Sequence, residues 1–312
     1  MQTEIIIDPS ERITTIKYVP ESYDAFPPAA AAWMDGRVIE CNRDREAVAQ
    51  VLLLFPFVSG QFSPARGCGV DVASSLRELF YPRTINLEGV EFKPVRIPSG
   101  TRTAMLCDGS YRSAALLSAR ATDLHFRLSE SAYTTSIGPR NVVVASNFGL
   151  FARQDGQLLS LLPALAAGLL FAEDLGIARF VLPIHDLTSG ETELFIRLAA
   201  LLAAVNITLD APFLGAEFTA LSEFLPQVSG LEIFFSERHE HIASPDDLPD
   251  YWLARLLLSQ AAGDVQATIA ASDKLRALSG RGFSFSARER SLFASLAKDP
   301  HSERANPTQS IQ

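Results

Sequence analysis

From Thr101 onward, short apolar runs alternate with longer stretches at helical spacing. The runs Thr101–Cys107, Asp123–Leu128, Asn141–Ala145, Ala178–Ile184, Ile207–Leu209 and Leu231–Phe235 predict strands. Between them, Ser113–Ala121, Gln157–Leu175, Thr192–Val205 and Ala216–Phe224 predict helices, and Asp250–Gln260 and Val265–Ala277 add two more. Gly176 suits the C-cap of the long apolar helix. Thr188-Ser189-Gly190-Glu191 spells a capping box ahead of the next one. Strand-helix alternation of this kind predicts an α/β fold, a parallel sheet with flanking helices spanning residue 101 to about 235.

The first 98 residues are patterned differently. Short β-type runs occur at Glu4–Ile7, Ile13–Val19, Arg37–Cys41 and Val90–Ile97, with helices expected over Arg45–Leu54 and Ala73–Phe80. Proline and glycine interrupt this part often. It reads as a small α+β N-terminal domain over 1–98, joined through a hinge at Ile97-Pro98-Ser99-Gly100 to an α/β domain over 99–297. The polar stretch from Lys298 predicts a disordered tail over 298–312.

Composition narrows the function classes. At 312 residues and 47% hydrophobic, the chain can bury a large core. A net charge of −9 argues against a general nucleic-acid surface. Cys41, Cys68 and Cys107 lie far apart, which excludes a cysteine-rich zinc site and fits a reducing cytoplasm. The start, MQTEIIIDPSER, has no signal-peptide pattern. The longest apolar stretch, Leu158–Ala172, is too short and interrupted for a membrane span, so no membrane association is expected.

Three turns at strand ends carry candidate chemistry. In Asp108-Gly109-Ser110-Tyr111-Arg112-Ser113, the glycine lets backbone approach an anion, two hydroxyls stand ready and Arg112 can pair with a phosphate. A plain strand-helix turn with Ser113 as N-cap explains the same residues. His185 and Asp186 follow a strand, where histidine can act as acid or base and the carboxylate can hold a ribose or metal; helix capping competes with that role. His239 and His241 could share a metal, yet two histidines without further placed ligands make no zinc site, so no metal is expected. Arg140, in the Ser136–Asn141 turn, could reach an anionic ligand or lie on the surface. Arg66-Gly67-Cys68-Gly69 could be a flexible loop over a site or an ordinary loop.

The Asp108–Ser113 turn resembles the PP-loop of the adenine-nucleotide alpha hydrolase superfamily, Ser-Gly-Gly-x-Asp-Ser, with Gly109 and Ser113 matching. The apolar strand before it and the helical AALLSAR after it match the loop's context. The layout of Gln157–Leu175, Ala178–Asp186, Thr192–Val205 and Ile207–Pro212 is similar to the deazaguanine synthase branch, so the resemblance covers roughly Thr101 to Phe235. It implies a HUP-type α/β fold and ATP as cofactor, with Asp108, Gly109, Ser110, Arg112, Ser113 and Arg140 around its phosphates. Adenylation of a substrate is the implied activity, with His185 and Asp186 as catalytic candidates. Arg112 stands where the signature has an acid, so the usual handle on Mg2+ is missing, as is the zinc cluster of the deazaguanine synthases. Two alternatives are a non-catalytic descendant acting as a binding or assembly subunit and another Rossmann-like transferase.

Overall fold

A computed structural model of the chain describes residues 1–8, 10–119, 122–130, 134–153, 156–238 and 244–279. The chain forms two compact units, Met1–Gly215 and the part from Ala216 onward.

The first unit opens with an antiparallel meander of β1 (Gln2–Asp8), β2 (Ile13–Val19) and β3 (Ala31–Asp35). The next helix, α1 (Arg43–Leu54), is capped by Asn42, whose side chain accepts from the Asp44 amide at 2.8 Å. Every residue from Asp44 to Leu54 is buried, so α1 is a core helix rather than an amphipathic surface one. Two short parallel pairs surround α2 (Val70–Phe80): β4 (Gln61–Phe62) with β6 (Asn86–Leu87), and β5 (Cys68–Gly69) with β7 (Val90–Glu91).

A six-stranded sheet follows, built from β8 (Arg102–Leu106), β9 (Leu124–Ser129), β10 (Ser136–Ile137), β11 (Asn141–Ala145), β12 (Ile177–Val181) and β13 (Thr208–Asp210). Its order is β10-β11-β9-β8-β12-β13, parallel except for the β10 edge. The connecting helices are α3 (Tyr111–Ser118), α4 (Gln157–Leu170) and α5 (Ser189–Ala203). α4 packs on α1, and α2 on α5. One apolar cluster runs from Met1 to Ile207, so the expected boundary at 98/99 falls inside this unit.

The segment read as a hinge is clamped. Gly100 presses against the backbone of Gly176 and Ile177, and the Thr101 and Arg102 amides both donate to the Gly176 carbonyl at 2.9 Å. Arg45, wholly buried on α1, donates to the Pro98 carbonyl at 2.6 Å and the Val205 carbonyl at 3.1 Å.

The second unit is helical: a 3-10 turn at Phe218–Phe224, then α6 (Val228–Arg238), α7 (Pro249–Ala261) and α8 (Val265–Ser279). Phe235 meets Tyr251 edge to face, with ring centroids 5.7 Å apart.

Several expected elements differ. Leu231–Phe235 is helical, since Leu231, Phe234 and Phe235 are buried while Ile233 is exposed, a spacing of 3.6 rather than 2. The expected Ala216–Phe224 helix is the tighter 3-10 turn, and the sheet ends at Asp210. Arg37–Cys41 makes no strand because its amides have another acceptor: Ile39 and Glu40 donate to the Asp174 carboxylate at 2.9 and 3.1 Å. Only Val90–Glu91 of the expected Val90–Ile97 strand pairs, and the long helix stops at Leu170, with Gly176 at φ +63° on the way into β12. His239, His241 and the 298–312 tail lie outside the described residues.

Candidate functional site at the carboxyl edge of the sheet

Counting only the parallel strands in chain order, the sheet reads third, second, first, fourth, fifth (β11-β9-β8-β12-β13). The chain winds outward from β8, then returns past it to β12, so the direction reverses between these two strands. In open α/β sheets, ligands sit in the crevice outside the carboxyl ends at that reversal. Met105 of β8 pairs with Val181 of β12. The Asp108 turn and the Ile184–Asp186 turn therefore leave adjacent strands at the same edge.

The Asp108 turn forms because Gly109 takes φ +78°, a left-handed conformation that side chains disfavour. Ser110, rather than Ser113, is the N-cap of α3 and accepts from the Ser113 amide at 3.4 Å. The Asp108 carboxylate accepts from the Ser110 amide at 2.9 Å and the Ser113 hydroxyl at 2.6 Å. Arg112 lies 3.8 Å from the same carboxylate, its guanidinium 4.9 Å from the centre of the Tyr111 ring. Ser110 and Ser113 are buried, and the Asp108 side chain is half-buried. A carboxylate of the chain itself thus holds the amide and hydroxyl that a bound phosphate would use.

At the neighbouring turn, His185 is 1% exposed, its amide donating to Gln157 Oε1 at 3.3 Å and its carbonyl accepting from the Gly215 amide at 3.3 Å. Asp186 is half-buried and stands one residue nearer the helix. The capping box forms as its sequence implies: Glu191 accepts from the Thr188 amide at 3.2 Å. Glu191 also accepts from the Leu158 amide at 3.1 Å. One carboxylate therefore closes the amino ends of both α4 and α5. That second role joins residues far apart in sequence and has no local signature.

Arg140 does not join this edge. Asn141 pairs with His125, and His125 with Met105, so Arg140 is level with Ala104 at the amino end of the strands. Asp108 departs four residues farther along, about 13 Å at strand rise. The Arg140 guanidinium donates to the Thr122 carbonyl at 3.4 Å instead.

None of Cys41, Cys68 and Cys107 is in a disulfide, and the thiols of Cys41 and Cys68 are not activated. Burial, reinforced by Glu46 and Glu173, pushes the Cys41 thiol up to about 12, and burial with Asp44 nearby pushes Cys68 to about 11. Arg66-Gly67-Cys68-Gly69 is tied down, with Gly69 donating to Asp44 at 2.7 Å and Arg66 pairing with Glu46 at 2.5 Å. Among the described residues, no three His, Cys, Asp or Glu side chains gather to hold a metal ion, and no helix is long and apolar enough to cross a membrane. No protein-family model, curated protein or solved structure matches the chain.

Proposed function

We propose that the chain is a cytoplasmic, PP-loop-like protein that binds an adenine nucleotide or another phosphorylated small molecule in the crevice between β8 and β12. Residues 1–98 are then a small α+β addition to that sheet. One observation carries this reading: the reversal of strand order opens onto a left-handed glycine turn that leads straight into a helix amino end. Ser110, Ser113 and Arg112 would hold the phosphates, and Asp186 stands at the adjacent turn for the rest of the ligand. If substrate adenylation is retained, fixed amides of the turn would stabilise the developing charge.

A second reading, a binding or assembly subunit without catalysis, is favoured by the Asp108 carboxylate already bonded to the Ser110 amide and Ser113 hydroxyl. Isothermal titration with ATP and with inorganic pyrophosphate, with and without magnesium, tests the binding common to both readings. Arg112→Ala should weaken it by about 1.5–3 kcal/mol, the range for hydrogen bonds to charged groups. Pyrophosphate release on adding carboxylate or amide substrates selects the enzyme reading. Absence of binding heat for both ligands rejects the nucleotide site.

A further inference from the structure

The connection between β2 and β3, residues 20–30, reads PESYDAFPPAA. A surface connection is ordinarily polar, yet this one carries two aromatics and three prolines. Tyr23 and Phe26 are 84% and 87% exposed, and Val19 at its entrance is 65% exposed. The loop is pinned from inside. The Asp24 side chain is wholly buried, and its carboxylate accepts from the Glu21 and Ser59 amides, both at 2.8 Å. The Asp24 amide donates to the Glu21 carbonyl at 3.0 Å, and the Ala25 amide to the Phe57 carbonyl at 2.9 Å. Pro27 and Pro28 restrict the chain beyond Phe26, and the Tyr18 hydroxyl donates to the Ala29 carbonyl. Aromatic rings held out on an ordered backbone give contact area at low entropic cost.

Charge narrows the partner. Of the two acids in the loop only Glu21 faces water, and the loop holds no cation. A chain of net charge −9 without local Lys or Arg is repelled by anionic headgroups, which argues against a lipid surface. Nor does one carboxylate supply the charge pattern that selects an unlike protein. The loop does carry both halves of one packing mode. Proline-rich segments dock on aromatic side chains, and here Tyr23 and Phe26 stand beside Pro27 and Pro28 in one solvent-facing stretch. A two-fold axis brings each half against the other, which is the self-complementarity of an isologous interface. Phe92, 85% exposed, is flanked instead by Glu91 and Lys93.

We propose that residues 19–28 form a two-fold contact between two copies of this chain, with Tyr23 and Phe26 of each copy packed on Pro27 and Pro28 of the other. The loop supplies roughly half of the 20–30 residues per side found in stable interfaces. The dimer is therefore weak, with a Kd of about 10–100 μM, and dissociates on dilution.

Sedimentation velocity of the full chain from about 5 to 500 μM tests this. The sedimentation coefficient should rise with concentration and fit a monomer–dimer equilibrium. Tyr23→Ser combined with Phe26→Ser should weaken association at least about tenfold. The circular dichroism should be kept, because neither ring belongs to the core. Phe92→Ser should leave the equilibrium unchanged. Both copies carry the same net charge, so added salt should tighten the dimer, opposite to its effect on an ionic interface. Four results would overturn the proposal. They are a monomer at every concentration, a dimer that survives the double substitution, an equal loss in Phe92→Ser, or flotation of the chain with phosphatidylcholine vesicles that the double substitution abolishes.

Discussion

Asp108→Asn separates a phosphate-binding turn from a merely well-capped one. The substitution keeps the shape and an oxygen acceptor for the Ser110 amide and Ser113 hydroxyl, which now bond the carboxylate at 2.9 and 2.6 Å. It removes the charge. A phosphate using the same two donors would sit about 4 Å from the carboxylate. There, two unit charges repel by about 1 kcal/mol in water and about 4 kcal/mol at the effective dielectric near a protein surface. The Asp108 side chain is 23% exposed and its carboxylate partly solvated, which places the effect between these figures, about 1–2 kcal/mol. Pyrophosphate should therefore bind Asp108→Asn roughly 5–30-fold more tightly than wild type at low salt, and the gain should shrink as salt rises. Helix capping loses about 0.3–1 kcal/mol in exchange. Titration calorimetry reads the affinity, and Glu193→Gln, an exposed carboxylate on α5, controls for net charge. Equal pyrophosphate affinity in wild type and Asp108→Asn, with the fold intact, would assign the turn to capping alone.

Arg45→Ala should cost about 3–5 kcal/mol in urea unfolding, because the buried Val205 carbonyl, the Pro98 carbonyl and Glu173, 3.7 Å away, lose their cation; a loss below about 1 kcal/mol would contradict the clamp. Gly100→Ala should lower the melting temperature by several degrees, since the new Cβ would lie 2.5 Å from the Ile177 carbonyl carbon and backbone cannot yield as a side chain can; an unchanged melting curve would mean the segment is free to shift. Cys41, with its thiol raised to about 12, should react with iodoacetamide at about pH 8 roughly 10³-fold more slowly in the native than in the unfolded chain. Peptide mapping by mass spectrometry measures this, and native labelling at the unfolded rate would refute the burial argument.

Local chemistry was readable in the sequence where a few neighbouring residues decide the outcome. The Thr188–Glu191 capping box, the strand Asn141–Ala145 and the turn after β8 all belong to that class. Leu231–Phe235 misled because a short run of Leu, Ile and Phe suits either period, and which of its residues are buried settles the matter only in the fold. Arg37–Cys41 has strand composition, but its amides go to Asp174, a partner set by tertiary packing. The site was legible to the same depth. The sequence located the turn, whereas the bonding of Asp108 across it and the separation of Arg140 depend on rotamers and strand register.

The burial of α1 against α4 has a consequence for the nascent chain. During synthesis α1 leaves the ribosome long before α4, and the Val205 carbonyl that receives Arg45 comes later still. At about 5–20 residues per second, the interval between Leu54 and Val205 lasts roughly 8–30 s. Through that interval the helix, with its apolar run Val51–Leu54 and a guanidinium meant for the interior, lacks the partner that buries it. The first unit must be completed after most of it has been made, and its N-terminal third is a natural client for chaperones that shield hydrophobic segments.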